Sequence, residues 1–139
     1  MPRPPISVVI PCKNEEHHLE ECVASVLHWA NEVVIADSGS TDRTLEIAKR
    51  LCESFPATCH LIERDFINFS SFKSWACQQC RHDWVFVLDA DERMTPSLSR
   101  EIDLALSASS PFDAYAVRFE TYFLGHRIRY GKWNHKGVV

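Results

Sequence analysis

The sequence has no apolar run long enough to span a bilayer; stretches such as Val8–Ile10 and Trp84–Leu88 have only strand length. Glycine is scarce, with Gly39, Gly125, Gly131 and Gly137 the only four. None follows the first apolar strand, which excludes a dinucleotide fingerprint and a glycine-rich phosphate loop. The body of the chain lacks the basic face that general nucleic-acid binding requires. Repeats and low-complexity segments are missing too. Met1-Pro-Arg-Pro-Pro5 leads straight into a strand and so does not read as a signal peptide. Cys77-Gln-Gln-Cys80, with His82 nearby, has no second ligand pair at similar spacing, which makes a zinc or redox role for it a minor reading. Without a secretory signal, six cysteines imply free thiols in a reducing compartment.

What remains is an ordinary globular composition in 139 residues, enough for one domain with a sizeable core. Its charge is uneven. From Arg118 onward five cations (Arg118, Arg127, Arg129, Lys132 and Lys136) face the single acid Glu120, a balance of +4. The rest then carries −8 within a net −4. A basic, aromatic tail suits an anionic substrate or a membrane surface, and equally a solvated hairpin.

Apolar periodicity gives alternating strands and helices. Strands are expected at Ile6–Ile10, Glu32–Ala36, Cys59–Glu63 and Trp84–Leu88. The first is apolar on both faces, as in a buried parallel sheet. The first helix carries the stripe Leu19, Cys22, Val23, Val26 and Leu27, with Asn14 as its cap and Glu15 and Glu16 in its first turn. A second helix spans Thr44–Cys52, with Leu45, Ala48 and Leu51 inward. A third runs from Ser70 to Cys80, carrying Phe72, Trp75, Ala76 and Gln79. A fourth starts at Thr95-Pro96, with Leu98, Ile102 and Ala105 on one side. After Asp113, the alternation of Tyr115, Val117 and Phe119 and the break at Gly125 predict antiparallel strands. The order implies a mainly parallel sheet with helices on both faces, and ligands bind such sheets beyond the carboxyl ends of the strands. Three polar clusters fall there: Lys13/Asn14/Glu15, Asp37 and Asp89/Asp91.

Asp89 and Asp91 are two apart, so at a strand end both carboxylates leave one face while Ala90 takes the other. Close carboxylates repel unless a cation neutralises them, and oxygen donors suit Mg²⁺ or Mn²⁺ shared with a diphosphate. A surface or helix-capping acid pair ahead of Thr95 is the competing reading. An ionised Asp37 only accepts hydrogen bonds, which favours a base with a ring N–H, such as uracil or guanine. Asp37 could instead cap the next helix, but Thr41 and Asp42 lie closer to it and leave Asp37 free.

Three segments together resemble glycosyltransferase family 2, of the GT-A fold. They are Val8-Val-Ile-Pro-Cys-Lys-Asn-Glu15, Val34-Ile-Ala-Asp-Ser-Gly-Ser-Thr-Asp-Arg-Thr44 and Trp84-Val-Phe-Val-Leu-Asp-Ala-Asp-Glu92. Phe72-Lys-Ser-Trp-Ala76 and Phe123–Trp133 point to the bacterial group that extends the lipopolysaccharide core, similar to β-1,4-glucosyltransferases. The resemblance implies a three-layer α/β/α sandwich, with residues 1–112 binding the nucleotide-sugar and residues 113–139 beginning the antiparallel acceptor side of the same domain. It further implies that Pro11, Lys13, Asn14, Glu15, Asp37, Lys73, Asp89, Ala90 and Asp91 contact the nucleotide-sugar. Asp91 and Asp89 would hold Mg²⁺ or Mn²⁺, and Asp37 would meet the base, uracil. Ser74 stands where Asn is usual in the family. The reaction implied is inverting transfer from a UDP-sugar to a glycan or glycolipid, by a cytoplasmic protein in peripheral contact with the membrane. Family members draw their general base from a later segment, and neither Asp113 nor Glu120 sits in a recognisable base motif. The expectation is therefore a C-terminally truncated chain competent for donor binding only.

Three other readings compete. A sugar nucleotidyltransferase would want the missing glycine loop. A non-catalytic nucleotide-sugar-binding or interaction module would show no catalysis, and one without a nucleotide role no metal-dependent affinity. A zinc or redox protein built on Cys77 and Cys80 would hold metal. The cluster of Arg129, Tyr130 and Trp133 suits either an anionic glycolipid or the packing of a hairpin core.

Overall fold

A computed structural model describes residues 2–107 and 111–129. The chain divides into two compact units, Met1–Ala108 and Ser109–Val139.

In the first unit, four parallel strands form one sheet in the order β3-β2-β1-β4: β1 (Ile6–Cys12), β2 (Glu32–Asp37), β3 (Cys59–Glu63) and β4 (Trp84–Val87). Side chains alternate between two cores, as strand period requires. Val8, Ile10, Val33 and Ile35 meet the apolar stripes of α1 (Leu19–Val26) and α2 (Thr44–Ser54). Val9, Val34 and Ala36 meet Phe72 and Ala76 of α3 (Phe69–Gln78). Leu98 and Ile102 of α4 (Pro96–Ser107) pack on the first core. The result is the expected α/β/α sandwich. Val8, Ile10, Val33 and Ile35 are fully buried, each stabilising the fold by about 1.5–3 kcal/mol relative to exposure.

Two helix starts come out as expected. Thr95 Oγ1 accepts from Leu98 N at 3.2 Å ahead of Pro96, and Asp42 Oδ1 accepts from Thr44 N at 2.9 Å. One expectation is corrected here. Asn14 does not cap α1, which starts five residues later with no side-chain cap on His18. Asn14 instead takes φ +54°, a left-handed turn that Asn tolerates, and Glu15 O accepts from His18 N and Leu19 N. The residues of β4 are half-buried, because among the described residues β4 lies at the sheet edge and pairs only with β1.

In the second unit, Tyr122–Phe123 and His126–Arg127 (β5 and β6) form a short hairpin. Leu124 and Gly125 both take positive φ, as a two-residue turn of this hand demands. The alternating run Tyr115–Phe119 forms no strand, since among the described residues no partner ladder meets it. Tyr130 and Trp133 lie outside the described residues. No described helix is long and apolar enough to cross a membrane.

A candidate ligand cavity at the carboxyl ends of the strands

Beyond the carboxyl ends of β1 and β4 lies an open cavity of about 530 Å³. Its lining takes Pro11, Lys13, Asn14 and Glu15 from the end of β1, Lys73 from α3, and Asp89, Ala90 and Asp91 from the turn after β4. The structure thus brings together every residue expected at the site except Asp37.

The turn after β4 is fixed by its own backbone. Glu92 N donates to Asp89 O at 2.9 Å, and Glu92 Oε2 accepts from Asp89 N at 2.9 Å. The strand has already ended, so the two aspartates are presented by a turn rather than by strand alternation. Ala90 still turns into the core with Leu88, leaving Asp89 half-exposed and Asp91 exposed. Asp89 Oδ1 accepts from Lys73 Nζ at 2.7 Å. Burial raises the Glu15 carboxyl above its ordinary value, and the nearby charges of Asp91, Asp42 and Asp89 raise it further. Burial likewise raises Glu92, with Asp89 and Asp91 adding to the effect against its bond from Asp89 N–H. Negative charge is therefore concentrated on this wall.

Among the described residues no group of three or more His, Cys, Asp or Glu side chains could enclose a metal ion. Two carboxylates with open space beside them nevertheless fit Mg²⁺ or Mn²⁺, which commonly draws its remaining oxygens from water and substrate phosphates. Cys77 and Cys80 join no such group among the described residues: just past α3, the Cys80 thiol donates back to Ala76 O, and burial raises it to about 11.

The loop Asp37–Asp42 departs from expectation. Asp37 is only 1% exposed, and both of its oxygens are engaged within its own loop. Oδ2 accepts from Gly39 N and Ser40 N at 2.9 Å, and Oδ1 accepts from Ser40 Oγ and, at 3.8 Å, from Cys12 Sγ. Asp37 is thus not free to meet a ligand, and its neighbour Ser38 lines the cavity instead. Asn14 ties this loop to the end of β1: its Oδ1 accepts from Thr41 N at 2.8 Å, while its own N–H donates to Ser40 Oγ at 2.9 Å.

An aromatic wall was not foreseen from the sequence. Phe66, Phe69 and Phe72 line the cavity, with Phe66 5.1 Å from Phe69 and 6.5 Å from Phe72, and Lys13 Nζ lies 5.9 Å over the Phe66 ring. Their three-residue spacing was the available signal, but only Phe72 belongs to the buried stripe of α3.

Comparison with known proteins bears on this cavity. The family model "Glycosyl transferase family 2" matches residues 7–134. The lipopolysaccharide core biosynthesis glycosyltransferase LpsC of Rhizobium meliloti (strain 1021) is 32% identical over 126 residues, covering 91% of this chain and 46% of LpsC. An uncharacterized glycosyltransferase of Rickettsia bellii (strain RML369-C) is 33% identical over 122 residues, covering 88% of this chain and 39% of its own length. The chain thus spans less than half of either relative. Among solved structures, the mannosyltransferase PcManGT from Pyrobaculum calidifontis, in complex with GDP-Man and Mn²⁺, superposes with a TM-score of 0.66 at 25% identity, covering 78% of this chain and 33% of that one. TarS of S. aureus in complex with UDP, at 23% identity and a TM-score of 0.56, covers 73% of this chain and 32% of its own, and shares the fold.

Proposed function

Because the chain belongs to glycosyl transferase family 2, with the GT-A fold, we propose that its cavity binds a nucleotide-sugar, specifically a UDP-sugar. The protein then transfers the sugar, with inversion, to a glycan or glycolipid at the cytoplasmic face of a membrane. The observation that carries this reading is the meeting of Lys13, Lys73, Asp89 and Asp91, from three separate segments, around one cavity with an aromatic wall. PcManGT with GDP-Man and Mn²⁺ supports a nucleotide-sugar donor and a divalent ion.

Each part of the wall has a role that follows from its chemistry. Phe66 and Phe69 offer flat apolar faces to the base, and Ser38, whose hydroxyl donates to Cys12 O at 3.3 Å, offers it an oxygen acceptor. Lys13 and Lys73 supply positive charge for the diphosphate. Asp91, with Asp89, would hold Mg²⁺ or Mn²⁺. That ion, when bound, supplies Lewis-acid stabilisation of the charge on the departing diphosphate. Asp37 and Asn14 act at one remove, by holding the loop that carries Ser38. The acceptor hydroxyl must lose its proton to a base on the opposite side of the sugar. Glu120 is ion-paired to Arg127 at 2.9 Å, and neither it nor Asp113 is assigned that part. The second unit is read as the start of the acceptor side.

Titrating a UDP-sugar into the purified chain with and without Mn²⁺ tests the proposal. Binding that requires Mn²⁺ is expected, with UDP-sugar preferred over GDP-sugar. Metal-independent binding or none would reject it, and a GDP preference would reassign the base. Phe69 is 76% exposed, so Phe69→Ala should leave the melting temperature unchanged. Loss of one stacking face should weaken nucleotide binding by about tenfold, as calorimetry would show.

A further inference from the structure

Cys52, in the last turn of α2, and Cys59, the first residue of β3, have sulfurs 3.4 Å apart. The six residues between them reverse the chain, held by Thr58 N and Cys59 N donating to Phe55 O at 3.1 and 2.8 Å. Residues 53–57 of this reversal are exposed. Cys59 is 2% exposed, whereas Cys52 is only half-buried, so one sulfur meets solvent and the other stands behind it.

We propose that Cys52 and Cys59 form a thiol–disulfide pair in which Cys52 attacks small disulfide oxidants and Cys59 resolves the adduct. The Cys52 thiolate attacks one sulfur of the small disulfide, forming a mixed disulfide and expelling one small thiolate. Cys59 sulfur then attacks Cys52 sulfur, closing the internal bond and expelling the second thiolate. The two protein thiols lose two protons and two electrons, and the oxidant leaves as two small thiols. Closure requires the sulfurs to approach to about 2 Å, a movement the exposed reversal accommodates.

Exposure assigns the order of attack, because Cys52 reaches solvent and Cys59 is enclosed behind it. The hydrogen bond between the two sulfurs holds the Cys52 thiol below its ordinary value, against the effect of burial. The same contact, together with burial, raises Cys59. Burial raises Cys12 and takes Cys22 to about 12, leaving both poor nucleophiles. The pair sits at the amino end of β3, whereas the ligand cavity lies beyond the carboxyl ends of the strands. Oxidation is therefore expected to leave nucleotide binding intact, and the inference does not depend on the nucleotide reading.

The test treats the native chain with oxidised glutathione, traps free thiols by alkylation, and maps the products by mass spectrometry. Two thiols should disappear together and return as a peptide linking Cys52 to Cys59, at a rate about tenfold or more above loss of Cys12 or Cys22. Cys59→Ser should stop at a glutathione adduct on Cys52, and Cys52→Ser should leave Cys59 free. A wild-type chain that accumulates the Cys52 adduct, links Cys77 to Cys80, or retains all six thiols overturns the proposal.

Discussion

Asp91→Asn is expected to reduce Mn²⁺-dependent affinity for a UDP-sugar by about 100-fold while leaving the fold intact. Losing a carboxylate that holds the ion in the proposed site should cost at least the upper end of the 10–100-fold that loss of an outer-shell partner typically costs. Stability should hold because the Asp91 side chain is exposed and makes no hydrogen bond or ion pair with the described residues. Its charge, moreover, is one of those that raise the Glu15 carboxyl, so neutralising it relieves repulsion. Calorimetric titration alongside thermal unfolding separates the two effects. Unchanged Mn²⁺-dependent binding in the variant would remove Asp91 from the proposed site.

Asp37→Ala should act in the opposite way, through stability. It strips the charged acceptor from the N–H groups of Gly39 and Ser40 and from the Ser40 hydroxyl, in a loop that is only part-buried. Hydrogen bonds to a charged group are worth about 1.5–3 kcal/mol each, and water replaces part of what is lost, so a loss of about 3 kcal/mol is expected. For a unit of this size that corresponds to a fall in melting temperature of more than about 10 °C. Asp37→Asn keeps one carbonyl oxygen as an acceptor and should lose roughly half as much. Its preference among UDP, GDP and CDP should match that of the parent. A folded Asp37→Asn chain with altered base preference would restore Asp37 to direct contact with the base.

The contrast between these aspartates shows how far the residues could be read before the fold was known. β-branched runs and 3.6-residue stripes placed β1 to β4 and the buried faces of α1 to α4 close to where they lie, because burial is periodic. Strand order then brought Pro11–Glu15, Lys73 and Asp89–Asp91 to one end of the sheet. What escaped depended on loop conformation. Asn14 satisfies the residue preference for a helix cap, but its left-handed turn spends the side chain on a neighbouring loop instead. Asp37 seemed free only because its partners, two backbone N–H groups, have no signature in sequence. Phe66 and Phe69 precede or open α3, outside its buried stripe, so periodicity gave them no role. The Cys52–Cys59 contact arises where a helix doubles back into a strand, a geometry that spacing alone does not encode.

The 2.7 Å contact between Lys73 and Asp89 gives the cavity an internal gate of charge. While Lys73 is clasped there, Asp89 is neutralised from within, and Asp91 is left as the open carboxylate of the couple. In the proposed donor complex a diphosphate would compete for the same ammonium, and as Lys73 turned toward it the second aspartate would be unmasked. On that reading the cavity would hold a cation poorly by itself and well beside an anionic partner, so that two weak binders would recruit each other.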